Sequence, residues 1–230
     1  MPPGPEPAGT GRAGLPRAFE ATAAGAGLLI AAPVIAAGAL LVALSSSGPV
    51  FFRQERVGRR GKIFRLYKLR TMRETAGGPA VTAGDDARIT RVGRVLRRTK
   101  LDELPQLWNV LRGDMALVGP RPEVPRYVDP SDRMWRRVLE TRPGLTDPVS
   151  LALRDEERIL EAVPDDRERF YRERLLPWKL EGYVGYLDRR SWKSDLAILV
   201  ATLFALLRLP RARPLRPFPL DEPPPPARER

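Results

Sequence analysis

The longest apolar stretch covers residues 21–44 (ATAAGAGLLIAAPVIAAGALLVAL) and carries no charge. As one helix it would be about 36 Å long, enough to cross a bilayer. A helix apolar on every face is too long to be the core helix of a 230-residue chain, so the pattern predicts membrane contact. Pro33 stands at its middle, with Gly25, Gly27 and Gly38 nearby, which predicts a break there. Arg12 and Arg17 precede the stretch, and Arg53, Arg56, Arg59 and Arg60 follow it. Positive charge on both flanks predicts two cytoplasmic ends and a re-entrant helix over residues 17–47; a plain spanning helix is the alternative that composition leaves open.

Downstream the periods shorten. Residues 49–54 and 62–69 read as short strands or extended segments around a Gly-containing turn, and Gly77, Gly78, Pro79 and Gly84 mark a loop. Helical spacing returns over residues 89–113, with Leu104, Leu107, Val110 and Leu111 in step and Gly113 as the stop. Residues 132–141, 155–163, 165–176 and 178–189 read as further helices. Another covers Ser194 to Arg208, where the uncharged part, residues 196–207, is too short to span and is expected on the membrane surface or against the core. The expected fold class is α+β and mainly helical: a re-entrant membrane helix, short extended segments, and a small helical cytoplasmic domain over residues 48–208 with surface-lying amphipathic helices. Residues 1–16 and 209–230, the latter with 8 Pro among 22 positions, are expected to be disordered tails. The first tail has no signal-peptide layout.

Composition narrows the chemistry. There is no His and no Cys. Serine–histidine triads, thiol nucleophiles, thiolate metal sites, disulfides and imidazole bases are all excluded. Any metal should be a hard, oxygen-liking ion such as Mg²⁺. The net charge is +12, and residues 51–100 hold 15 Lys/Arg against 4 Asp/Glu. Such a block predicts an anionic partner: nucleic acid, lipid head groups or substrate phosphates.

The sharpest local feature is Asp102-Glu103. Pro105 restricts this pair to a helix start, where the helix dipole and Arg97, Arg98 and Lys100 would favour both carboxylates in the ionised form. A simple helix cap is the competing explanation. A GPRP turn follows at Gly119–Pro122, its two prolines fixing Arg121 in a manner suited to a phosphate. Together these residues suit phosphate chemistry at a membrane: an Asp that attacks phosphorus, a Glu that holds Mg²⁺ against a diphosphate, and cations that neutralise its oxygens.

The runs GPVFFRQERVGRRGKIFRLYKLRTM, DDARITRVGRVLRRTKLDELPQLWNVLRGDMALVGPRP and RPGLTD closely resemble the bacterial sugar transferase family, the monotopic phosphoglycosyl transferases, from about Arg17 to about Arg208. The resemblance implies transfer of a sugar 1-phosphate from a nucleotide diphosphate sugar, usually a UDP-sugar, to polyprenyl (undecaprenyl) phosphate, the first membrane step of exopolysaccharide, capsule, O-antigen or glycoconjugate synthesis. By position it implies Asp102 as a nucleophile that forms a phosphosugar-aspartyl intermediate, Glu103 as a Mg²⁺ ligand, and Lys68, Arg97 and Arg121 as phosphate ligands. The family's membrane helix breaks at a Ser-Pro pair; here the pair is Ala32-Pro33, so the proline is kept and the hydroxyl is not. Many members continue PGITG with a Trp-Gln segment, whereas this chain has PGLTDPVSLALRDEERIL; Arg142 and Arg154 become candidate contacts to nucleotide or sugar, and the sugar is left open. The implied setting is the cytoplasmic face of a bacterial inner membrane, with membrane lipids, a second copy of the chain and downstream glycosyltransferases as partners and no nucleic acid. A membrane-tethered nucleic-acid binder and an inactive scaffold of the same family are the rivals.

Overall fold

The computed structural model describes residues 14–73, 84, 86–153, 156–163 and 166–206. Both expected tails, for the most part, together with the Gly77–Pro79 loop and Arg154, lie outside the described residues. Helix α1 (Arg17–Ser45) follows Pro16 and runs as one element with Pro33 inside it. The helix therefore does not end at Pro33. A proline removes one backbone hydrogen bond, and a long helix can absorb that loss as a bend without ending. At about 1.5 Å per residue the helix is roughly 43 Å long, and it is long and apolar enough to cross a membrane.

The burial of α1 is concentrated at its two ends. Glu20 and Ala24 are buried near one end and Gly38 and Val42 near the other, while Leu29 and Ile30 between them are 79% and 78% exposed. Val42 clusters with Leu69 and Leu96, whereas Ala24 belongs to the main core. Both ends of the apolar helix thus rest on the same body of protein.

Strands β1 (Phe51–Val57) and β2 (Ile63–Leu69) form an antiparallel hairpin, in register from Phe51 opposite Leu69 to Val57 opposite Ile63. Its turn needs left-handed backbone at Arg60 (φ 57°) and Gly61 (φ 75°). The 89–113 periodicity is split into α2 (Arg91–Thr99), a 3₁₀ turn at Leu101–Glu103, and α3 (Gln106–Arg112). Lys100 in the left-handed region (φ 59°) ends α2, and Pro105, which has no N–H and crowds the preceding turn, favours a fresh helix start after it. Gly113 (φ 87°) ends α3.

A parallel pair follows that the sequence pattern did not predict: β3 (Ala116–Val118) beside β4 (Gly144–Thr146). At three residues each, these strands are too short to show a period. Also present are α4 (Arg133–Leu139), capped by Asp132, α5 (Pro148–Ala152), capped by Asp147, and the short α6 (Glu156–Glu161) and α7 (Arg167–Phe170). A π turn at Tyr171–Leu175 leads into α8 (Leu176–Arg189), and α9 (Trp192–Leu206) completes the described chain. Val110, Met115, Val118, Trp135, Val149, Leu175, Tyr183 and Ile198 share one core. Helix α9 buries Asp195 and Ile198 and leaves Trp192, Leu196, Val200, Leu203, Phe204 and Leu206 exposed. It packs on the core along one side and presents apolar surface on the other.

Candidate active site

Three segments converge on Asp102-Glu103: β2, the 3₁₀ turn before α3, and the loop after β3. Asn109 of α3 fixes the first of these. Its Oδ1 accepts from the Tyr67 N–H (3.2 Å) and its Nδ2 donates to the Arg65 carbonyl (2.7 Å), which pins β2 just before Lys68. Lys68 Nζ then donates to Glu103 Oε1 at 2.9 Å. From the opposite side Arg121, between Pro120 and Pro122, grips Glu103 with both ends of its fork, Nη2 to Oε1 at 2.5 Å and Nη1 to Oε2 at 3.3 Å. Glu103, Lys68 and Arg121 are thus brought together as the sequence suggested.

Asp102 is 5% exposed, and its Oδ1 is buried without a hydrogen-bond partner. A capping carboxylate accepts from backbone N–H groups, and this oxygen accepts from none. The two carboxylates are electrically unlike. Burial tends to push the Glu103 carboxyl up, but Arg121 and Lys68 outweigh it and hold it well below the usual range. At Asp102 burial wins, with the Glu103 charge adding to it and Lys68 opposing, so this carboxyl lies above its ordinary value. The expectation that dipole and cations depress both pKa values fails at Asp102 because the side chain is desolvated and unpaired. Burial, helped by Arg121, also pulls the Lys68 ammonium down.

The other expected site residues are placed differently. Arg97 pairs with Glu157 of α6, Nη2 to Oε1 at 2.6 Å, and reaches Thr71 Oγ1 at 3.3 Å; it acts on Asp102 only through its field. Arg142 donates to Glu20 Oε2 (2.5 Å) and to the Met115 carbonyl (3.3 Å), so its donors serve the seat of α1 and not the dyad. Sequence reasoning missed a buried network next to Arg121. Glu123 accepts from the Tyr171 hydroxyl and from Lys179 Nζ (3.3 Å), with Arg56 Nη1 at 3.7 Å. Lys179 also reaches Glu156 Oε1 at 3.3 Å. Burial works against its charge, yet Glu156 and Glu123 raise its pKa. The available signal was a lone lysine inside the apolar stretch LPWKLEGYVGYL, where an unpaired charge would be costly.

A model of the family described as "Bacterial sugar transferase" matches residues 12–209. The chain belongs to that family. It is 39% identical over 197 residues to a UDP-glucose:undecaprenyl-phosphate glucose-1-phosphate transferase of Caulobacter vibrioides, a match covering 83% of this chain and 69% of the relative. It is 42% identical over 137 residues to a UDP-N-acetylgalactosamine-undecaprenyl-phosphate N-acetylgalactosaminephosphotransferase of Aeromonas hydrophila, covering 56% of this chain and 32% of the relative. With a UDP-glucose:undecaprenyl-phosphate glucose-1-phosphate transferase of Escherichia coli it shares 43% identity over 128 residues, 52% of this chain and 27% of the relative. The chain therefore spans about a third or less of two of these relatives and about two thirds of the third.

Membership bears on the basic block. Lys68 is drawn into the dyad, Arg97 onto Glu157, Arg56 towards Glu123, and Arg70 onto the Ser46 carbonyl (2.7 Å). Most of the rest of the block is exposed: Arg53, Arg59, Arg60, Lys62, Arg65, Arg91, Arg94, Arg98 and Lys100. As a seat for a hard cation, the dyad offers the Glu103 carboxylate, whose Oε2 carries only the 3.3 Å contact from Arg121. Among the described residues no group of three or more acidic side chains is placed to hold a metal ion. Mg²⁺ commonly uses one or two carboxylates and takes its remaining ligands from phosphates and water, so these residues fit that ion in the presence of a diphosphate.

Proposed function

We propose that this chain transfers a sugar 1-phosphate from a UDP-sugar to undecaprenyl phosphate through a covalent aspartyl intermediate at the cytoplasmic face of the membrane. The observation that carries this reading is the buried, unpartnered Oδ1 of Asp102 beside a glutamate gripped by Lys68 and Arg121. That oxygen attacks the sugar-bearing phosphorus of the donor. A P–O bond forms to Asp102, the bond from that phosphorus to the bridging oxygen breaks, and UMP leaves with the electron pair. An oxygen of undecaprenyl phosphate then attacks the same phosphorus and releases the Asp102 carboxylate. No proton acceptor is required in either step, which suits a chain without histidine.

Each residue has a defined part. Desolvation raises the basicity of Asp102 and with it the nucleophilicity of its oxygen. Lys68 and Arg121, prearranged by Glu103, offer positive charge where phosphate oxygens gather it. Glu103 would hold Mg²⁺, which would supply charge neutralisation on the diphosphate. The names of the relatives support glucose or N-acetylgalactosamine as sugars to test first.

The deciding measurement uses purified full-length chain with labelled UDP-sugar, Mg²⁺ and no lipid acceptor. We expect a burst of about one UMP per chain, since the first half-reaction needs only donor. UMP release that depends strictly on the lipid would replace the covalent route with direct transfer.

Topology belongs to the same proposal. Seating of both ends of α1 on one body of protein favours a helix that enters and leaves the membrane on the cytoplasmic side. Because the chain has no cysteine, Ala8→Cys provides a single labelling site. An impermeant thiol reagent should leave it unlabelled in intact cells and label it after lysis. With Pro33→Leu added, a helix relieved of its proline should span more readily, and labelling in intact cells should rise. Labelling of the Ala8→Cys chain itself in intact cells would establish a spanning helix.

A further inference from the structure

The first turn of α1 holds a charged pair that the proposed transfer does not use. Arg17 and Glu20 stand three apart on one side of the helix. Arg17 donates Nη1 to the Val110 carbonyl and Nη2 to the Leu111 carbonyl, both at 2.6 Å, at the C-terminal end of α3. Glu20 is 0% exposed. Its Oε1 accepts from the Leu117 N–H at 3.1 Å and its Oε2 from Arg142 Nη2 at 2.5 Å. Arg142 Nη1 reaches the Met115 carbonyl at 3.3 Å.

The backbone shows what these contacts do. One edge of β3 is taken by the segment around β4: Ala116 stands opposite Gly144 and Val118 opposite Thr146, and the Ala116 N–H donates to the Pro143 carbonyl (2.7 Å). Successive residues of a strand point their N–H and C=O groups to alternate edges. The opposite edge therefore presents the Leu117 N–H and the Met115 carbonyl, which Glu20 and Arg142 satisfy as a third strand would. Three residues beyond β3 stands Arg121, and between them the chain has little freedom. Pro120 is stiff, and a Cβ on Gly144 would collide with the backbone of Gly119. A shift of β3 is thus passed to the guanidinium that grips Glu103.

We infer that Glu20 and Arg142 are positioning residues for the transfer, the membrane helix serving through them as a missing third strand that sets Arg121 against Glu103. The inference rests on the proposed transferase activity for its catalytic part and on geometry alone for its structural part. Arg17, which holds the far end of the helix that starts beside the dyad, acts in the same direction.

The test is a double-substitution cycle on the purified full chain, read as UMP release from labelled UDP-sugar. Glu20→Gln keeps an acceptor for Leu117 and removes the charge facing Arg142. Alone it should lower kcat on the order of 10- to 100-fold, the cost of misplacing a catalytic group by a fraction of an ångström to an ångström. Glu20→Asp should fall between Glu20→Gln and the unsubstituted chain. In an Arg121→Ala background the same Glu20→Gln change should alter the rate by less than roughly twofold, because the group it positions is gone. Equal fold-losses in both backgrounds would overturn the inference and leave Glu20 a scaffold residue. Should Glu20→Gln fail to fold, Arg142→Lys takes its place in the cycle. Amide exchange supplies a readout free of activity: Leu117 should exchange faster in Glu20→Ala, which removes its acceptor, with α8 unchanged, and unaltered exchange at Leu117 would overturn the clamp. A chain that releases no UMP from any donor overturns the transferase reading, while the exchange result still decides the clamp.

Discussion

Asp102→Asn should abolish UMP release, by at least about 10⁴-fold, while the protein remains folded and continues to bind its donor. Asparagine has nearly the same shape and fits a turn whose Oδ1 makes no hydrogen bond, so little structural energy is at stake. What it lacks is a carboxylate. An amide cannot form an acyl phosphate, and its oxygen is a far weaker nucleophile. The donor's phosphates would still meet Lys68 and Arg121, which are arranged by Glu103 and not by Asp102. Burst amplitude, donor affinity and thermal melting separate these effects. A burst of normal amplitude in the Asp102→Asn protein would remove Asp102 as nucleophile.

What the sequence made legible was mostly local. The hairpin, the start of α3 at Pro105 and the apolar extent of α1 follow from turn chemistry, proline sterics and hydropathy, each confined to a few neighbouring residues. The dyad with Lys68 and Arg121 was legible through the family's motifs, and the structure supplies the reason for their spacing: a strand, a turn and a proline-flanked loop meet at Glu103. What stayed hidden depended on distant partners. Arg142 reads in sequence as a candidate contact to nucleotide or sugar, and only the fold reveals that Glu20, 122 positions away, pairs with it. Arg97 is likewise drawn off by Glu157. Glu20 itself lies at the edge of an apolar helix, where a helix-dipole explanation would have sufficed. The raised pKa of Asp102 was invisible for the same reason, since burial is a property of the assembled site.

Glu103→Gln should do two things at once, and their separation tests its role. In the structure Glu103 is the anion between two cations, with 14% of its side chain exposed against 20% for Lys68 and 29% for Arg121. Removing one member of a largely buried pair leaves the others uncompensated, which commonly costs about 3 kcal/mol or more. Here glutamine still accepts one hydrogen bond and the cations keep some water, so the loss should be nearer ~1–2 kcal/mol by the usual value of a charged hydrogen bond. Activity should fall further, about 10²- to 10³-fold, as expected when a preorganised charge at the reacting phosphorus is disturbed. If Glu103 also holds the metal, Mg²⁺ at half-saturation should rise with the same substitution. Lys68→Met is the control: it removes one of the two cations on Oε1 and should lower the rate, but should leave the Mg²⁺ requirement equal or weaker, because one positive charge that competes with the ion is gone. An unchanged Mg²⁺ curve in Glu103→Gln would confine Glu103 to holding Lys68 and Arg121 in place.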